Sequence, residues 1–297
     1  MAEVNASIRP PAPVAVFGLG NMGHPMAMNL VRSGFAVAGF DQAGPARAHF
    51  AATGGRAVDD VKAAVGSAEV VITLLPDGKV VRSAVEGMLP LLRKGTVIVD
   101  MSSSDPVGTR ALGGELQSKG FPFIDAPVSG GVRRAVDGSL AIMAGGDGAT
   151  IDRVEPVLSA MGKSIFRTGP LGSGHAMKAL NNHVSGAGLI AALEALRVGR
   201  AFGIDPNVIV DVLNASTGRN TATENKLKQF VITETFAAGF SIGLMAKDVR
   251  AARDLAAATG VPAPLIERCA ELWDDAARDL GGSADHTAIE RYLAKLA

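Results

Sequence analysis

A lysine and an asparagine stand at a spacing that suits acid–base chemistry. Lys178 and Asn182 lie in the segment GSGHAMKALNN, which opens a long apolar stretch typical of a helix. Positions i and i+4 project from one face of a helix, and the amine of Lys178 could exchange a proton with a substrate oxygen there. An ordinary lysine has a pKa of about 10.4, so burial or a neighbouring cation must lower it for this role. The alternative is a solvated helix lysine.

Two further segments could bind an anion. Ser129, Gly130 and Gly131 follow a short apolar run in DAPVSGG, where a hydroxyl and backbone N–H groups can form a nest for a carboxylate. Lys247 and Asp248 stand together in FSIGLMAKDVRAA, and the lysine could pair with a substrate carboxylate or cover a cofactor. The alternatives are a flexible turn for the first segment and a surface ion pair worth under about 1 kcal/mol for the second.

A glycine-rich segment indicates a dinucleotide site. Gly18, Gly20 and Gly23 form the pattern G-x-G-x-x-G after a predicted strand and at the start of a predicted helix, with Asn21 and Met22 between the last two glycines. Glycine permits a tight turn and the close approach of a ligand, and the N-terminus of the helix attracts a pyrophosphate. The alternative is a glycine turn that binds no ligand.

The end of the second predicted strand carries a cofactor preference. Asp41 stands 18 residues after Gly23, and a carboxylate there accepts hydrogen bonds from the adenosine ribose hydroxyls and repels a 2′-phosphate. The next residue is Gln42 rather than an arginine that could hold such a phosphate. The sequence therefore predicts NAD in preference to NADP. The alternative is that Asp41 caps a turn or the helix that starts near Pro45.

The elements that must position these residues alternate between strand and helix in the first half of the chain. Nearly continuous apolar runs are typical of parallel strands covered on both faces. Helices are predicted between them, for example at Pro25–Ser33 and Val80–Leu92. The predicted strands are Val14–Phe17, Phe35–Phe40, Val70–Leu74, Thr96–Asp100, Phe123–Asp125, Leu140–Ala144 and Ser164–Arg167.

The second half has no convincing strand runs. We predict an α/β protein, with a Rossmann-type doubly wound sheet in residues 12–173 followed by an all-helical domain in residues 174–297. A polar inter-helix loop is predicted at Ser216–Lys226. The predicted helices are Ala176–Phe202, Pro206–Ala215, a stretch around Lys226–Thr233, Leu244–Thr259, Pro264–Leu280 and Thr287–Leu296.

Composition excludes several classes of protein. The formal net charge is zero, with 29 basic and 29 acidic residues, so neither a nucleic acid nor a membrane surface is predicted as a partner. The single cysteine excludes an internal disulfide framework, and the five histidines lack metal-ligand spacing, so no metal is predicted. Residues 1–13 have no apolar core of a secretory signal and are predicted to form a short flexible tail. A cytoplasmic location is expected by elimination.

Together the motifs resemble the β-hydroxyacid dehydrogenase family, which includes 3-hydroxyisobutyrate dehydrogenase and tartronate semialdehyde reductase. The resemblance runs from about Pro13 to Leu296. The motifs that carry it are FGLGNMGHPMAMNL, LLP at 74–76, DMSSSDP from Asp100, DAPVSGG, GSGHAMKALNN and KDVRAA. Several ordered motifs at family-like spacing are far more specific than any one of them.

The resemblance implies roles for these residues. The family counterpart of Lys178 is the catalytic lysine, and that of Asn182 helps to orient the substrate. The counterparts of residues 129–131 hold the substrate carboxylate, and the counterpart of Lys247 closes the site. Those of Leu75, Pro76 and Ser103 line the dinucleotide, and Asp248 is assigned with them as a cofactor contact. A helical domain that packs against a second subunit is implied as well, so homodimers or homotetramers are expected.

One departure bears on the substrate. Arg133 and Arg134 occupy positions where 3-hydroxyisobutyrate enzymes usually have small residues, whereas tartronate semialdehyde reductases have a basic residue nearby. The resemblance implies a small β-hydroxy acid, with 3-hydroxyisobutyrate, glycerate or tartronate semialdehyde, and threonate as the candidates. Among these we hypothesise a polar one, and activity on 3-hydroxyisobutyrate far above glycerate or threonate would refute it. The alternative is that both arginines are solvated.

Two other functions compete with this interpretation. An imine reductase or reductive aminase has a similar fold, but such enzymes commonly lack the lysine that matches Lys178. A non-catalytic dinucleotide-binding protein would keep the glycine-rich loop and lose the acid–base and anion-binding residues, all of which are present here. The sequence therefore favours a dehydrogenase.

Overall fold

The computed structural model describes residues 6–296. They form two compact units, the first ending at Lys178 and the second beginning at Ala179. The division falls within one long helix, α8 (Ser173–Ala201). Among the described residues, no helix has both the length and the apolar character that crossing a membrane requires.

The first unit is built around one sheet whose strands are joined by helices. The strands are β1 (Pro13–Phe17), β2 (Ala36–Phe40), β3 (Arg56–Ala57), β4 (Val70–Thr73), β5 (Val97–Asp100), β6 (Phe123–Asp125), β7 (Val128–Ser129), β8 (Leu140–Gly145) and β9 (Gly162–Gly169). The helices are α1 (Gly23–Arg32), α2 (Gly44–Ala52), α3 (Val61–Val65), α4 (Gly78–Met88), α5 (Pro106–Ser118), α6 (Gly131–Val136) and α7 (Gly148–Ser159).

The strand order is that of a doubly wound fold. The sheet runs β3–β2–β1–β4–β5–β6–β8–β7, with β9 beside β8. All pairs from β3 to β6 are parallel, whereas β8 is antiparallel to β6 and β7. The chain winds from β1 to one side through β2 and β3, and then crosses to β4 on the other side. The ends of β1 and β4 therefore lie at the switch point, where ligands bind in open α/β sheets.

Apolar burial explains the strands. Every residue of β4 and β5 is buried, because helices cover both faces of the sheet. All seven predicted strands are present with ends shifted by a few residues at most. Two strands were missed, β3 and β7, each with only two residues, and a run that short has no measurable period.

The prediction of a flexible N-terminal tail is wrong for the described part of residues 1–13, while residues 1–5 lie outside it. Ile8 is only 4% exposed and packs in the main core of the first unit. Its backbone N–H donates to the carbonyl of Arg153 at 2.7 Å. One apolar side chain in a proline-rich stretch is therefore sufficient to hold this segment against the domain.

The second unit is helical, as predicted. After α8 come α9 (Pro206–Ala215), α10 (Thr221–Asn225), α11 (Ile242–Thr259), α12 (Pro264–Leu280) and α13 (Ile289–Lys295), with a π-helical turn at Leu227–Val231 and a 3₁₀ turn at His286–Ala288. The core lies around Trp273, which is fully buried, and around Cys269, which is 3% exposed. Burial raises the pKa of the Cys269 thiol, which fits a structural role.

The predicted loop at 216–226 is partly helical. Asn220 caps α10 by accepting hydrogen bonds from the backbone N–H groups of Ala222 and Thr223. The hydroxyl of Thr223 in turn accepts from the N–H of Asn220, which completes a capping box. This helix is too short to show apolar periodicity, so only its cap could have revealed it.

A buried histidine makes the stability of the second unit depend on pH. The side chain of His286 is 3% exposed, and burial, reinforced by the charge of Lys226, lowers its pKa from 6.5 to about 4. A depressed histidine pKa favours the neutral ring in the folded state, so its stabilising effect is complete above pH 6.5 and is lost as the pH falls toward 4.

We therefore expect the folded state to lose about 3 kcal/mol through this one residue between pH 6.5 and 4. The variant His286→Gln has no ring to protonate and should show a flatter dependence of the free energy of unfolding on pH. Urea unfolding at several pH values measures both proteins. Parallel pH curves for the two would show that the buried ring does not control this dependence.

Candidate active site

The glycine-rich loop follows β1 at the switch point, and its three glycines meet different demands. Gly18 has φ +97°, and an added Cβ would lie 2.2 Å from the carbonyl oxygen of Leu74. At Gly23 an added Cβ would lie 1.9 Å from the carbonyl oxygen of Gly18. Gly20 is exposed and faces open space, with no atom within 4 Å of an added Cβ.

This arrangement suits a dinucleotide. The first and third glycines allow the chain to pack on itself, whereas the second leaves room for a group from outside the chain. Helix α1 begins at Gly23, directly after this loop, so its positive dipole end lies beside the loop. Asn21 is exposed beside Gly20, and Met22 is half-buried against the core of the unit.

Asp41 ties this loop to the end of β2. Its Oδ2 accepts a hydrogen bond from the N–H of Leu19 at 2.8 Å, and its Oδ1 accepts from the N–H of Ala43 at 2.8 Å. The alternative that Asp41 caps a turn is thus part of its role, although α2 begins at Gly44 without a side-chain cap. Each carboxylate oxygen has a second lone pair, so Asp41 can still accept bonds from ribose hydroxyls.

The next side of the site is a polar network at the ends of β4 and β5. The hydroxyl of Ser102 accepts a hydrogen bond from the N–H of Leu75 at 2.9 Å, which fixes the turn that leads into Pro76. Asp100 is 1% exposed and accepts bonds from Thr73 Oγ1, the Ser102 N–H and Ser104 Oγ at 2.8, 3.0 and 2.7 Å. Ser103 lies between two buried serines and is itself half-buried.

A buried histidine extends this network to the first turn of α8. Nε2 of His175 donates to the carbonyl of Ser102 at 3.1 Å, because a carbonyl oxygen can only accept. Nδ1 contacts the hydroxyl of Thr109 at 2.8 Å. The carboxylates of Asp100 and Asp125 lie 3.7 Å from Nε2 and Nδ1, respectively. One ring thus joins β5, α5 and α8 through contacts that are almost completely buried.

Asp125 holds the start of α8 at the end of β6. Its Oδ1 accepts from the N–H of Gly172 and its Oδ2 from the N–H of His175, both at 2.7 Å. Burial raises the pKa of this carboxyl, while His175 and these N–H groups oppose the rise. Glycine is required around it: a Cβ at Gly145 would lie 2.6 Å from Oδ1, and one at Gly174 would lie 2.9 Å from Oδ2.

Lys178 lies three residues beyond His175 in the same helix. Its side chain is half-buried, so it is neither enclosed in the core nor fully solvated. The first turn of α8 is fixed by Asp125 and His175, and Lys178 follows in the next turn. The contacts at the start of the helix therefore fix the backbone from which this side chain projects.

Ser129, Gly130 and Gly131 connect β7 to α6. Ser129 pairs with Ala141 of β8, and the two glycines have φ values of +135° and +68°. Side chains rarely adopt these conformations, so glycine is needed for the turn. Gly130 and Gly131 are exposed and Ser129 is half-buried, which leaves this turn accessible to a ligand.

In the second unit, Asn182, Lys247 and Asp248 lie together. Nδ2 of Asn182 donates to Oδ2 of Asp248 at 2.5 Å, and these residues are 8% and 5% exposed. Because a carboxylate only accepts hydrogen bonds, this contact decides which way the Asn182 amide faces. Nζ of Lys247 lies 3.8 Å from Oδ1 of Asp248.

Sequence reasoning missed the buried framework of this site. Asp100, Thr109 and His175 were not proposed as site residues, and Asp125 was noted only as the first residue of a motif. A signal existed, since Asp100 and Asp125 each close an apolar strand, and the carboxyl ends of parallel strands meet at one edge of a sheet. The contact between Asn182 and Asp248 had no such signal, because 66 residues separate the two.

Family models cover nearly the whole chain. Residues 13–169 match the NAD binding domain of 6-phosphogluconate dehydrogenase, and residues 172–293 match the NAD-binding domain of NADP-dependent 3-hydroxyisobutyrate dehydrogenase. The chain is 34% identical to 2-(hydroxymethyl)glutarate dehydrogenase of Eubacterium barkeri over 280 residues, which is 93% of each protein. The chain belongs to the β-hydroxyacid dehydrogenase family.

A solved member of the β-hydroxyacid dehydrogenase family has the same fold. The 3-hydroxyisobutyrate dehydrogenase of Mycobacterium tuberculosis, solved with L-serine, is 37% identical and superposes with a TM-score of 0.89, covering 95% of this chain and 99% of its own. The protein is therefore an NAD(P)-dependent oxidoreductase that acts on the CH–OH group of a hydroxy acid. Its cofactor is NAD, with NADP possible.

The imine reductase alternative gains no support beyond the fold. An imine reductase of Streptomyces aurantiacus superposes with a TM-score of 0.64 at 19% identity, covering 95% of this chain and 99% of its own. Identity at this level shows a shared fold and not a shared reaction. The named relatives are dehydrogenases, which favours an enzyme over a protein that only binds a dinucleotide.

The three glycines allow a test of the dinucleotide site. Gly20→Ala should leave thermal stability unchanged, because no atom lies within 4 Å of the new Cβ, but should weaken NADH binding roughly tenfold or more by filling ligand space. Gly23→Ala places a Cβ against the Gly18 carbonyl and should lower stability by about 1–3 kcal/mol.

Thermal melting and NADH fluorescence titration measure the two effects on the same samples. An unchanged affinity for NADH in Gly20→Ala would contradict the assignment of this space to the dinucleotide. Equal melting temperatures for the wild type and Gly23→Ala would contradict the packing role of the third glycine.

Proposed function

We propose that this dehydrogenase acts on a small, polar hydroxy acid with Lys178 as its general acid/base. The observation that carries the proposal is the position of Lys178 and Asn182 one turn apart on α8, a helix whose first turn is fixed by the buried Asp125 and His175. A fixed helix presents both side chains in a defined orientation, which proton transfer to a bound oxygen requires.

The remaining residues would bind and orient the substrate. Ser129, Gly130 and Gly131 would hold its carboxylate through a hydroxyl and exposed backbone N–H groups, with Lys247 as a second cation. Asn182 would contact the reacting oxygen. The contact with Asp248 supports this role, since it fixes the amide of Asn182 in one orientation.

This arrangement defines the path of the proton. In the direction of oxidation, the neutral amine of Lys178 would take the hydroxyl proton while the carbon loses its hydride; in the direction of reduction, the ammonium would return the proton to the oxygen. When bound, the nicotinamide supplies the hydride chemistry. The dinucleotide would be held by the three glycines of the loop and by Asp41. The other residues assigned to it are Asn21, Met22, Leu75, Pro76, Ser103, Lys247 and Asp248, and the three glycines are Gly18, Gly20 and Gly23.

We assign residues 12–173 to dinucleotide binding and residues 174–297 to substrate binding and dimerisation. The cytoplasm is the proposed location, and the substrate candidates are 3-hydroxyisobutyrate, glycerate or tartronate semialdehyde, and threonate.

A homo-oligomer built on α8 is part of the proposal. Val184 and Val198 on α8 are 69% and 70% exposed and lie on one face of the helix, and Phe202, directly after its last residue, is 86% exposed. Large apolar side chains grouped in this way are typical of a surface that a second subunit covers.

Replacing Lys178 tests the catalytic proposal. Lys178→Ala should lower kcat about 10²–10⁴-fold, because it removes the proposed proton-exchanging amine, while the affinity for NADH stays within a factor of about three. The matched control is Met177→Ala, which changes an exposed neighbour in the same turn and should keep near-normal kcat. Near-normal turnover by Lys178→Ala on every hydroxy acid it oxidises would exclude the role.

The oligomer is tested by charge. The double variant Val198→Glu/Phe202→Glu puts two carboxylates on the exposed surface at the C-terminal end of α8 and should convert a dimer or tetramer into a smaller species. Sedimentation velocity at micromolar concentration measures the change. A wild-type protein that sediments as a monomer would overturn the proposal, as would a double variant with an unchanged sedimentation coefficient.

A further inference from the structure

A basic pair stands next to the turn that we assign to the substrate carboxylate. Arg133 and Arg134 are both exposed and lie in α6, three and four residues after Gly130. The segment from Ser129 to Val136 contains no acidic residue, and one carboxylate, that of Asp137, follows directly at the end of α6. The two guanidinium groups therefore give this edge of the first unit a local positive charge.

The side chain of Arg134 lies across the turn itself. A Cβ added to Gly130 would meet Cδ, Cβ and Cγ of Arg134 at 2.5, 2.9 and 3.1 Å. The aliphatic stem of the arginine thus packs against one side of Gly130, which stays exposed, and the guanidinium is carried at the same turn. Any side chain at position 130 would displace it, so the glycine and the arginine are matched to each other.

The backbone that carries this arginine is held in place by its neighbours. The next residue, Ala135, is fully buried, and its carbonyl accepts a hydrogen bond from Nδ2 of Asn29 at 2.6 Å. The carbonyl of Val136 accepts from Arg32 at 3.2 Å. Both partners belong to α1, the helix that begins at the glycine-rich loop. Helix α6 is thereby fixed to the dinucleotide side of the first unit.

Arg134 has no anionic partner in the part of the chain that the structure describes. Neither a hydrogen bond nor an ion pair involves its guanidinium there, in contrast to Arg47 and Arg167, which pair with aspartates. A guanidinium offers a planar fork of donors that suits a carboxylate, and its hydrogen bonds to carboxylates are among the strong ones.

We propose that Arg134 is a specificity-determining residue that binds a second carboxylate of the substrate, so that the preferred substrate is a hydroxy dicarboxylate. This inference rests on the proposed function, in which Ser129–Gly131 hold the first carboxylate. The substrate would then carry its second carboxylate on a short chain that reaches past Gly130 to the guanidinium. 2-(Hydroxymethyl)glutarate, the compound in the name of the relative from Eubacterium barkeri, has this chemistry.

Three compounds separate this inference from the proposed function. 2-(Hydroxymethyl)glutarate, 3-hydroxyisobutyrate and L-serine all have the form HOCH2–CH(X)–COO⁻, and X is a carboxyethyl, a methyl or an ammonium group. An arginine at X attracts the first, is indifferent to the second and repels the third. We expect kcat/KM with NAD to fall in that order.

The variant Arg134→Gln removes the charge and keeps a polar side chain of similar length. It should lower kcat/KM for 2-(hydroxymethyl)glutarate roughly 10- to 100-fold, mainly through KM, as expected when a hydrogen-bonded charge partner is lost. Its kcat/KM for 3-hydroxyisobutyrate should stay within a factor of about three. The matched control Arg133→Gln removes the same charge one residue away and should lower neither value more than about threefold.

The other outcomes overturn the inference in distinguishable ways. Equal losses on the dicarboxylate and on 3-hydroxyisobutyrate, with a raised Kd for NADH, would assign Arg134 to the cofactor phosphates. A wild-type preference for 3-hydroxyisobutyrate would show that Arg134 does not select a second carboxylate, and it would leave the dehydrogenase proposal intact. No oxidation of these three compounds, glycerate or threonate would overturn both, and near-equal losses in the two arginine variants would reduce Arg134 to a diffuse charge effect.

Discussion

The buried carboxylate of Asp125 is the contact on which the arrangement of the site depends. The first N–H groups of a helix have no partner within the helix, and Asp125 accepts two bonds from the chain where α8 starts. A negative charge is also favourable at the positive end of a helix dipole. Without this carboxylate the start of α8 would have buried N–H groups without acceptors, and the turn that carries Lys178 would lose its fixed reference.

The same contact belongs to a network that connects the cofactor-lining turn to the start of α8. His175 reaches the Ser102 carbonyl, and Ser102 in turn holds the N–H of Leu75, which precedes the cofactor-lining turn. A buried polar network of this kind is stable only when nearly every member is satisfied. Thr73 and Ser104 complete it by donating to Asp100. Displacement of one member would therefore be felt both at the cofactor loop and at the start of α8.

Much of the fold and part of the site could be predicted from the sequence. The remaining contacts could not, and the reasons are physical. The glycine pattern, the seven longer strands and the main helices each have a period or a motif within a short window. The bond between Asn182 and Asp248 joins positions that only the folded second unit brings together. The stem of Arg134 over Gly130 is a matter of side-chain direction, which residue types alone do not reveal. The buried tail residue Ile8 shows the same limit, since a single apolar side chain has no pattern.

The pair formed by Asn182 and Asp248 has a consequence for how relatives of this protein can diverge. The two orientations of an amide side chain differ little in energy by themselves, and an obligate acceptor beside it favours the one that points its NH2 group at that acceptor. Exchange of Asp248 for an amide would admit both orientations, and exchange of Asn182 for an acid would set two carboxylates against each other. Substitutions at the two positions are therefore coupled: a replacement at one is acceptable only with a complementary replacement at the other.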